Sequence, residues 1–276
     1  MGSSNLKLIS LFLALLGVFM VQAQTTMSKW ISLEIGSAYG NRFLVNTNPS
    51  ASYGFTEQEL NDSFKKSDGF TDLYHAGLGI YFQSKAQVQY YAGFSISEWG
   101  FERLRDGNMF GYQPHPELST YAALTQGGTQ QLVFQYKQRY IQFTGRYLRQ
   151  LNGQRLQLGT EFDLWFVGEG NIGWIVGDEM IIISRGFSLV EGNKIVKYDY
   201  TEQLNNDGTV SFERVYNPKV NASIGFGLRG EYHLDAKWSV DGKAIVKSML
   251  SPNHTGIITA VGYQTGIQLG IQYRIP

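Results

Sequence analysis

Ionisable side chains in this chain recur on one side of segments that alternate polar and apolar residues, and that placement limits what they can do. Glu34, Arg42, His75, Arg146, Glu161, Asp163, Arg229, Glu231, Asp241, Lys243, Lys247 and Arg274 all fall on such polar sides. Acids and bases occur there together, so the first expectation is mutual pairing, because a buried charge is costly unless it is paired and hydrogen-bonded. Nucleophilic catalysis needs a hydroxyl within reach of a base, and His75 facing Ser95 would be the candidate dyad. His115, beside Pro116, and His254 have no Asp or Ser at motif spacing. Neither H-E-x-x-H nor a phosphate-binding P-loop occurs, and "GLGIYF" and "GFGLRG" are glycine-rich strands rather than dinucleotide fingerprints. No cofactor and no metal are expected from these spacings.

The segments that must position these groups have a period of two. "GIQLGIQYRIP" places Ile267, Leu269, Ile271, Tyr273 and Ile275 on one face, with Gly, Gln and Arg274 on the other. The same alternation runs through residues 31–43, 72–83, 87–97, 139–148, 155–166, 221–233 and 237–250, which with the last segment makes eight strands. In 237–250 the polar face is interrupted by Ile245 and Met249. The connections alternate in length. Short ones fall near Ser84 to Ala86, at Asn152-Gly153 and near Asp235 to Lys237; long ones run over about 45–70, 100–131 and 167–218, with a shorter one at 251–260. An even number of strands with short turns at one end and long loops at the other describes an eight-stranded antiparallel transmembrane β-barrel with long extracellular loops. A soluble barrel also alternates but has no need to sort its turns by length. The apolar faces are then expected to meet lipid and the ionisable faces to line the lumen.

The first residues agree with that destination. Lys7, the apolar run "LISLFLALLGVFMV" and the small residues before Gln24 read as a secretory signal peptide over 1–23, leaving a barrel domain over 24–276. The chain contains no Cys, so neither a disulfide nor a thiolate site is available. Its 23 Lys and Arg balance 23 Asp and Glu, which gives no reason to expect nucleic acid. The 17 Tyr and 17 Phe would suit interfacial girdles.

Local signals fill in the long loops. Thr56 followed by Glu59 forms a capping box, Phe55 and Leu60 have staple spacing, and Lys65, Lys66 and Gly69 close the segment, which predicts a helix over 57–67. "EMIIISRGFSLVEGNKIVKYDYTEQ" reads as a hairpin turning at Glu191 to Asn193. Its Lys197, Asp199 and Glu202 favour an extension outside the membrane; inserted instead, it would make ten strands. A turn centred near Asp235 puts Arg229 opposite Asp241, and a turn at Asn152-Gly153 puts Arg146 diagonal to Glu161. With Glu34, His75, Asp163 and Glu231 these form the expected polar network of the lumen, which in an eight-stranded barrel is filled by side chains.

The segment "RYIQFTGRYL", with its basic-aromatic pair Arg146-Tyr147, and the overall layout resemble the PorT-like outer-membrane β-barrels of Bacteroidota. Gln142 and Thr144 stand where that family often carries Glu and Pro. The resemblance implies a non-enzymatic, monomeric barrel in the outer membrane of a Gram-negative bacterium, in contact with outer-membrane lipid. Some such barrels assist protein secretion or gliding, so envelope or secretion proteins are the implied partners, bound through the long external loops. A lipid-modifying or proteolytic barrel, and a small channel, are the alternatives.

Overall fold

The computed structural model describes residues 28–47, 56–85, 87–106, 131–151, 156–157, 161–191, 194–205, 215–254 and 258–275. The expected leader, His115 and the Asn152-Gly153 turn lie outside them. Nine long strands and one helix follow in chain order: β1 (Ser28–Thr47), α1 (Glu57–Ser67), β2 (Thr71–Lys85), β3 (Val88–Asp106), β4 (Gln131–Gln150), β5 (Glu161–Glu191), β6 (Lys194–Asn205), β7 (Val220–His233), β8 (Trp238–Met249) and β9 (Ile258–Ile275).

Eight of the strands form a closed antiparallel ring. Each of β1 to β5 pairs with the next, β5 continues to β7, β7 to β8, β8 to β9, and β9 returns to β1 from Lys29↔Ile275 to Thr47↔Ile258. Among the described residues the hairpin strand β6 pairs with β5 alone, from Glu179↔Asn205 to Glu191↔Lys194, so it extends one wall and lies off the ring. The ring as described holds eight long strands, with the hairpin outside it. Pairs followed from Glu34 through Gly77, Ser95 and Gln142 arrive at Gly173; pairs followed the other way through Gly270, Asp241 and Glu231 arrive at Asp163. The circuit therefore closes with a stagger of ten residues, the offset between Gly173 and Asp163, which tilts the strands as closure requires.

The wall is apolar outside and polar inside. Ile35, Phe94 and Ile267 are 61%, 65% and 63% exposed, whereas Glu34, Arg229 and Lys243 are at most 1% exposed. A water-soluble barrel has the opposite arrangement. Aromatic pairs rim the apolar band at both edges: Tyr90 with Tyr147 and Trp238 with Tyr273 near the short turns, Phe43 with Tyr263 and Phe70 near the long loops. Along β9 the band runs from Tyr263 to Tyr273, about the ten residues a tilted strand needs to cross a bilayer. Beyond the band the outer face turns charged, with Glu98 bridging Arg139 at 3.1 Å.

One long connection expected from the sequence is instead strand. The loop read as beginning at residue 167 belongs to β5, which continues to Glu191. Trp165, Val167, Glu169 and Asn171 point inward, and Gly168 and Gly170 occupy the outward positions, so the apolar periodicity disappears although the pairing persists. Val176 is then an extra residue opposite Arg139 and Tyr140, a bulge that reverses the facing and brings Met180 inside.

The turn from β7 to β8 has local chemistry of its own. Asp235 accepts hydrogen bonds from the backbone N–H groups of Lys237 and Trp238 at 2.6 and 2.7 Å, and these hold its carboxyl below the usual range. The helix forms where its cap predicts it. Thr56 accepts from the Glu59 N–H, while the Glu59 carboxylate accepts from the Thr56 N–H. Its inner face brings Phe64 onto Leu44, Ile258 and Ala260 at the barrel mouth.

Two outcomes follow. Leu269 lies mid-band, opposite Ile35 and Gly242. Leu269→Arg is expected to cost ~2–4 kcal/mol relative to Leu269→Ala in reversible folding into lipid vesicles. The second concerns the hydrogen bonds from Thr56, which hold the folded-state pKa of Glu59 below its usual range. Such a group stabilises above its unfolded-state value and ceases to do so as pH falls through the folded one. Amide exchange of residues 57–67, corrected for intrinsic rate, should therefore quicken on acidification below the usual glutamate range, and Glu59→Gln should remove that dependence.

Candidate functional site: a charged network across the lumen

Neighbouring strands alternate inward positions, so side chains on non-adjacent strands meet across the barrel rather than along the sheet. At the centre, Glu34 on β1 accepts from Arg146 Nη1 on β4 at 2.7 Å and from the Tyr81 hydroxyl on β2 at 3.0 Å, and it faces Lys243 Nζ on β8 at 3.3 Å. Arg146 turns its Nε to Glu169 at 2.6 Å, and Glu169 also binds Lys247 at 2.6 Å. Two carboxylates are thus shared among three cations, each charge having at least one opposite partner. All five side chains are nearly inaccessible.

The next layer toward the short turns is centred on Arg229. Its Nε donates to Asp241 at 3.0 Å, its Nη1 to Gln89 at 2.9 Å, and its guanidinium lies 4.4 Å from the Tyr81 ring on the opposite wall. Gln272 donates to the second Asp241 oxygen at 2.8 Å. Toward the loops the centre gives way to a neutral relay in which Ser95, Thr144, Asn171 and Ser223 are linked at 2.7 to 3.2 Å. Above it, Trp99, Tyr140 and Met249 pack together, and Arg42 and Arg103 both bind Asp68 immediately after the helix, at 2.5 and 3.2 Å. Arg42 also stacks 3.7 Å from the Phe101 ring. The helix is therefore anchored to the mouth by charge as well as by Phe64.

Two tyrosines that the sequence reading left unassigned shape the centre. Arg146 stacks 4.1 Å over Tyr91, which itself lies against Tyr81. A Cβ on Gly79 or Gly93 would come within 2.4 to 2.6 Å of the Tyr91 hydroxyl or ring. Glycine at these two inward positions is what lets the ring fold flat across the wall.

The expected contacts are met with shifted registers. Arg229 does reach Asp241, but the residue opposite Asp241 is Glu231, and Arg229 lies opposite Lys243. His75 lies opposite Ser97 rather than Ser95, with Nδ1 3.4 Å from the hydroxyl, and both are buried in the lumen. Arg146 pairs with Glu169, not diagonally with Glu161: Gln150 lies opposite Trp165 and Leu156 opposite Phe162, a register delayed relative to a tight turn at Asn152-Gly153. Glu161 opposite Gln157 begins β5, and its side chain lies outside the described residues. Asp163 and Glu231 face one another across β5 and β7. Arg274 is at the turn-side end near Trp30, exposed, donating to Ser28 at 3.3 Å. Glu169 was missed because the strand holding it reads as loop; its only sequence signal is that Trp165, Val167, Glu169 and Asn171 continue the parity of Asp163.

No family model matches the chain, and no curated protein matches it. Among solved structures it is similar to Ail, the attachment invasion locus protein of Yersinia pestis, at 9% identity and a TM-score of 0.32, covering 90% of this chain and 100% of that one. Neisserial surface protein A is similar at 5% identity and 0.31, covering 89% and 97%. A major outer membrane protein from Thermus thermophilus is similar at 13% identity and 0.35, covering 90% and 99%. The fold rests on the strand pairings themselves.

Removing the shared cation tests the network. Arg146→Ala leaves Glu34 and Glu169 short of charge in a closed interior and is expected to destabilise the detergent-solubilised barrel by about 3–5 kcal/mol in denaturant unfolding. Outward Arg149→Ala, on the same strand, should change it by less than about 0.5 kcal/mol.

Proposed function

We propose that this protein is a non-enzymatic, monomeric outer-membrane barrel of a Gram-negative bacterium, exported by the leader over 1–23 and similar to the PorT-like type. Its interaction surface is the loop-side rim, and its partners are proteins of secretion or envelope assembly. The observation that carries the reading is the combination of an apolar outer band, ringed by aromatic pairs, with a lumen crossed by buried ion pairs. A closed ring satisfies every wall hydrogen bond in hydrocarbon, where an open edge would not survive. Bonds such as Glu34 to Arg146 and Arg229 to Gln89 span non-adjacent strands and fill the space through which a solute would pass.

The reading against catalysis has its own support. His75 and Ser97 are enclosed by the wall, where an acyl chain in the outer leaflet does not reach. What projects beyond the apolar band is wall and cap: the upper parts of β3, β4 and β5, the strand β6 and helix α1. These make a broad platform over a filled barrel, which suits docking better than transport.

The test is a mild-detergent pull-down of the tagged protein from a washed outer-membrane fraction, beside the same protein in planar bilayers. Recovery with a stoichiometric envelope protein, lost when residues 186–203 are deleted, and no stepwise conductance are the expected results. Steady single-channel currents would overturn the filled-lumen reading, and absence from the membrane fraction would overturn the location.

A further inference from the structure

The layer nearest the short turns gathers several carboxylates and a histidine on one inward face. Asp163, Glu231 and Asp241 stand directly opposite one another on β5, β7 and β8, three carboxylates in one inward row. Like charges placed opposite across a sheet repel. Arg229 answers Asp241 fully, through Nε, and reaches Glu231 only with Nη2 at 3.2 Å, a contact outside hydrogen-bond geometry. Lys243, the other cation of the neighbouring row, is drawn toward Glu34. His233, two residues beyond Glu231 on the same face, lies with Nε2 2.9 Å from Asp163 Oδ2.

We propose that Asp163, Glu231 and His233 form a binding site for a divalent first-row transition-metal ion of the zinc type. One ligand atom from each of the three lies within 4.8 Å of the other two, close enough for one ion to hold all three after small side-chain rotations. One imidazole and two carboxylates make a donor set that suits zinc, cobalt or nickel better than calcium or magnesium, which take oxygen alone.

The surroundings orient the donors as an outer shell does. Gln150 donates to Asp163 Oδ1 at 2.8 Å and Ser239 to Glu231 Oε1 at 3.0 Å, so a neighbour fixes one oxygen of each carboxylate. Glu231 is 1% exposed and its Oε2 accepts no hydrogen bond. Arg229 need not move when Glu231 turns to a metal, because Asp241, Gln89 and the Tyr81 ring continue to hold it. Entry is possible from the turn side, where the His233 side chain is 21% exposed. Coordination replaces any proton on Nε2, which leaves to solvent, and the two positive charges of the ion ease the repulsion between carboxylates that face one another.

The experiment uses the full mature barrel, carrying a tag without histidine, stripped with EDTA in detergent and titrated with zinc chloride by calorimetry and with cobalt chloride by visible absorption. One equivalent of zinc and cobalt bands of four- or five-coordinate intensity are expected. His233→Ala and Asp163→Asn should each weaken zinc at least ~10-fold, as loss of even an outer-shell partner does. His254→Ala, at the opposite mouth, should bind as the parent does. Heat-modified gel mobility verifies folding of each variant, and His233→Gln replaces His233→Ala if the latter fails to fold. No binding by the parent, binding unchanged in the His233 variants, or binding lost in His254→Ala would each overturn the site.

Discussion

The pairing of the first strand with the last is the constraint on which everything else depends. Eighteen residue pairs join β1 to β9, from Lys29↔Ile275 to Thr47↔Ile258, across one bulge near Leu44. Without that seam the sheet would have two long edges, with apolar outer faces and unpaired backbone groups. With it, the wall is self-satisfied and its outer surface can meet hydrocarbon. The stagger of the seam is also what sets the interior. A ring of eight strands with this offset is narrow, so inward side chains reach those of the opposite wall.

Narrowness turns a liability into organisation. Buried charges gain little over apolar packing of the same shape, yet once present each must be answered, because an unanswered one is strongly destabilising. The interior answers them in layers. Arg146 is shared by Glu34 and Glu169, Lys243 and Lys247 complete those two carboxylates, and Arg229 binds Asp241 below. Near the loops the layers become aromatic and aliphatic, with Phe101, Phe134, Tyr136, Met180 and Val215 in one cluster. Arg42, Arg103 and Asp68 then tie the helix over that end. The turn-side layer differs from the others in setting a histidine, His233, among its carboxylates.

Periodicity reads a face but cannot read a register. The inward and outward sides of the expected strands were legible because Ile31, Leu33 and Ile35, or Ile267, Leu269 and Ile271, alternate without interruption, and the helix was legible because its capping box is local. Partners were less so. A slip of two residues keeps every side chain on its own face. Hence Arg229 was placed opposite Asp241 when it is diagonal to it, and His75 opposite Ser95 when it faces Ser97. The extension of β5 was hidden for a different reason: Gly168 and Gly170 hold its outward positions and carry no apolar side chain to mark them.

By itself the sequence determined which residues alternate, where the helix starts and that the interior would be charged. These follow from near-neighbour preferences, the period of the pleat and the chemistry of a cap. Only the tertiary structure decided that Glu34 meets Arg146 and Lys243, that Tyr91 folds beneath the guanidinium, and that Asp163, Glu231 and His233 converge. Those contacts join strands far apart in the chain, and their geometry depends on the stagger with which the ring closes, a property of all eight pairings together.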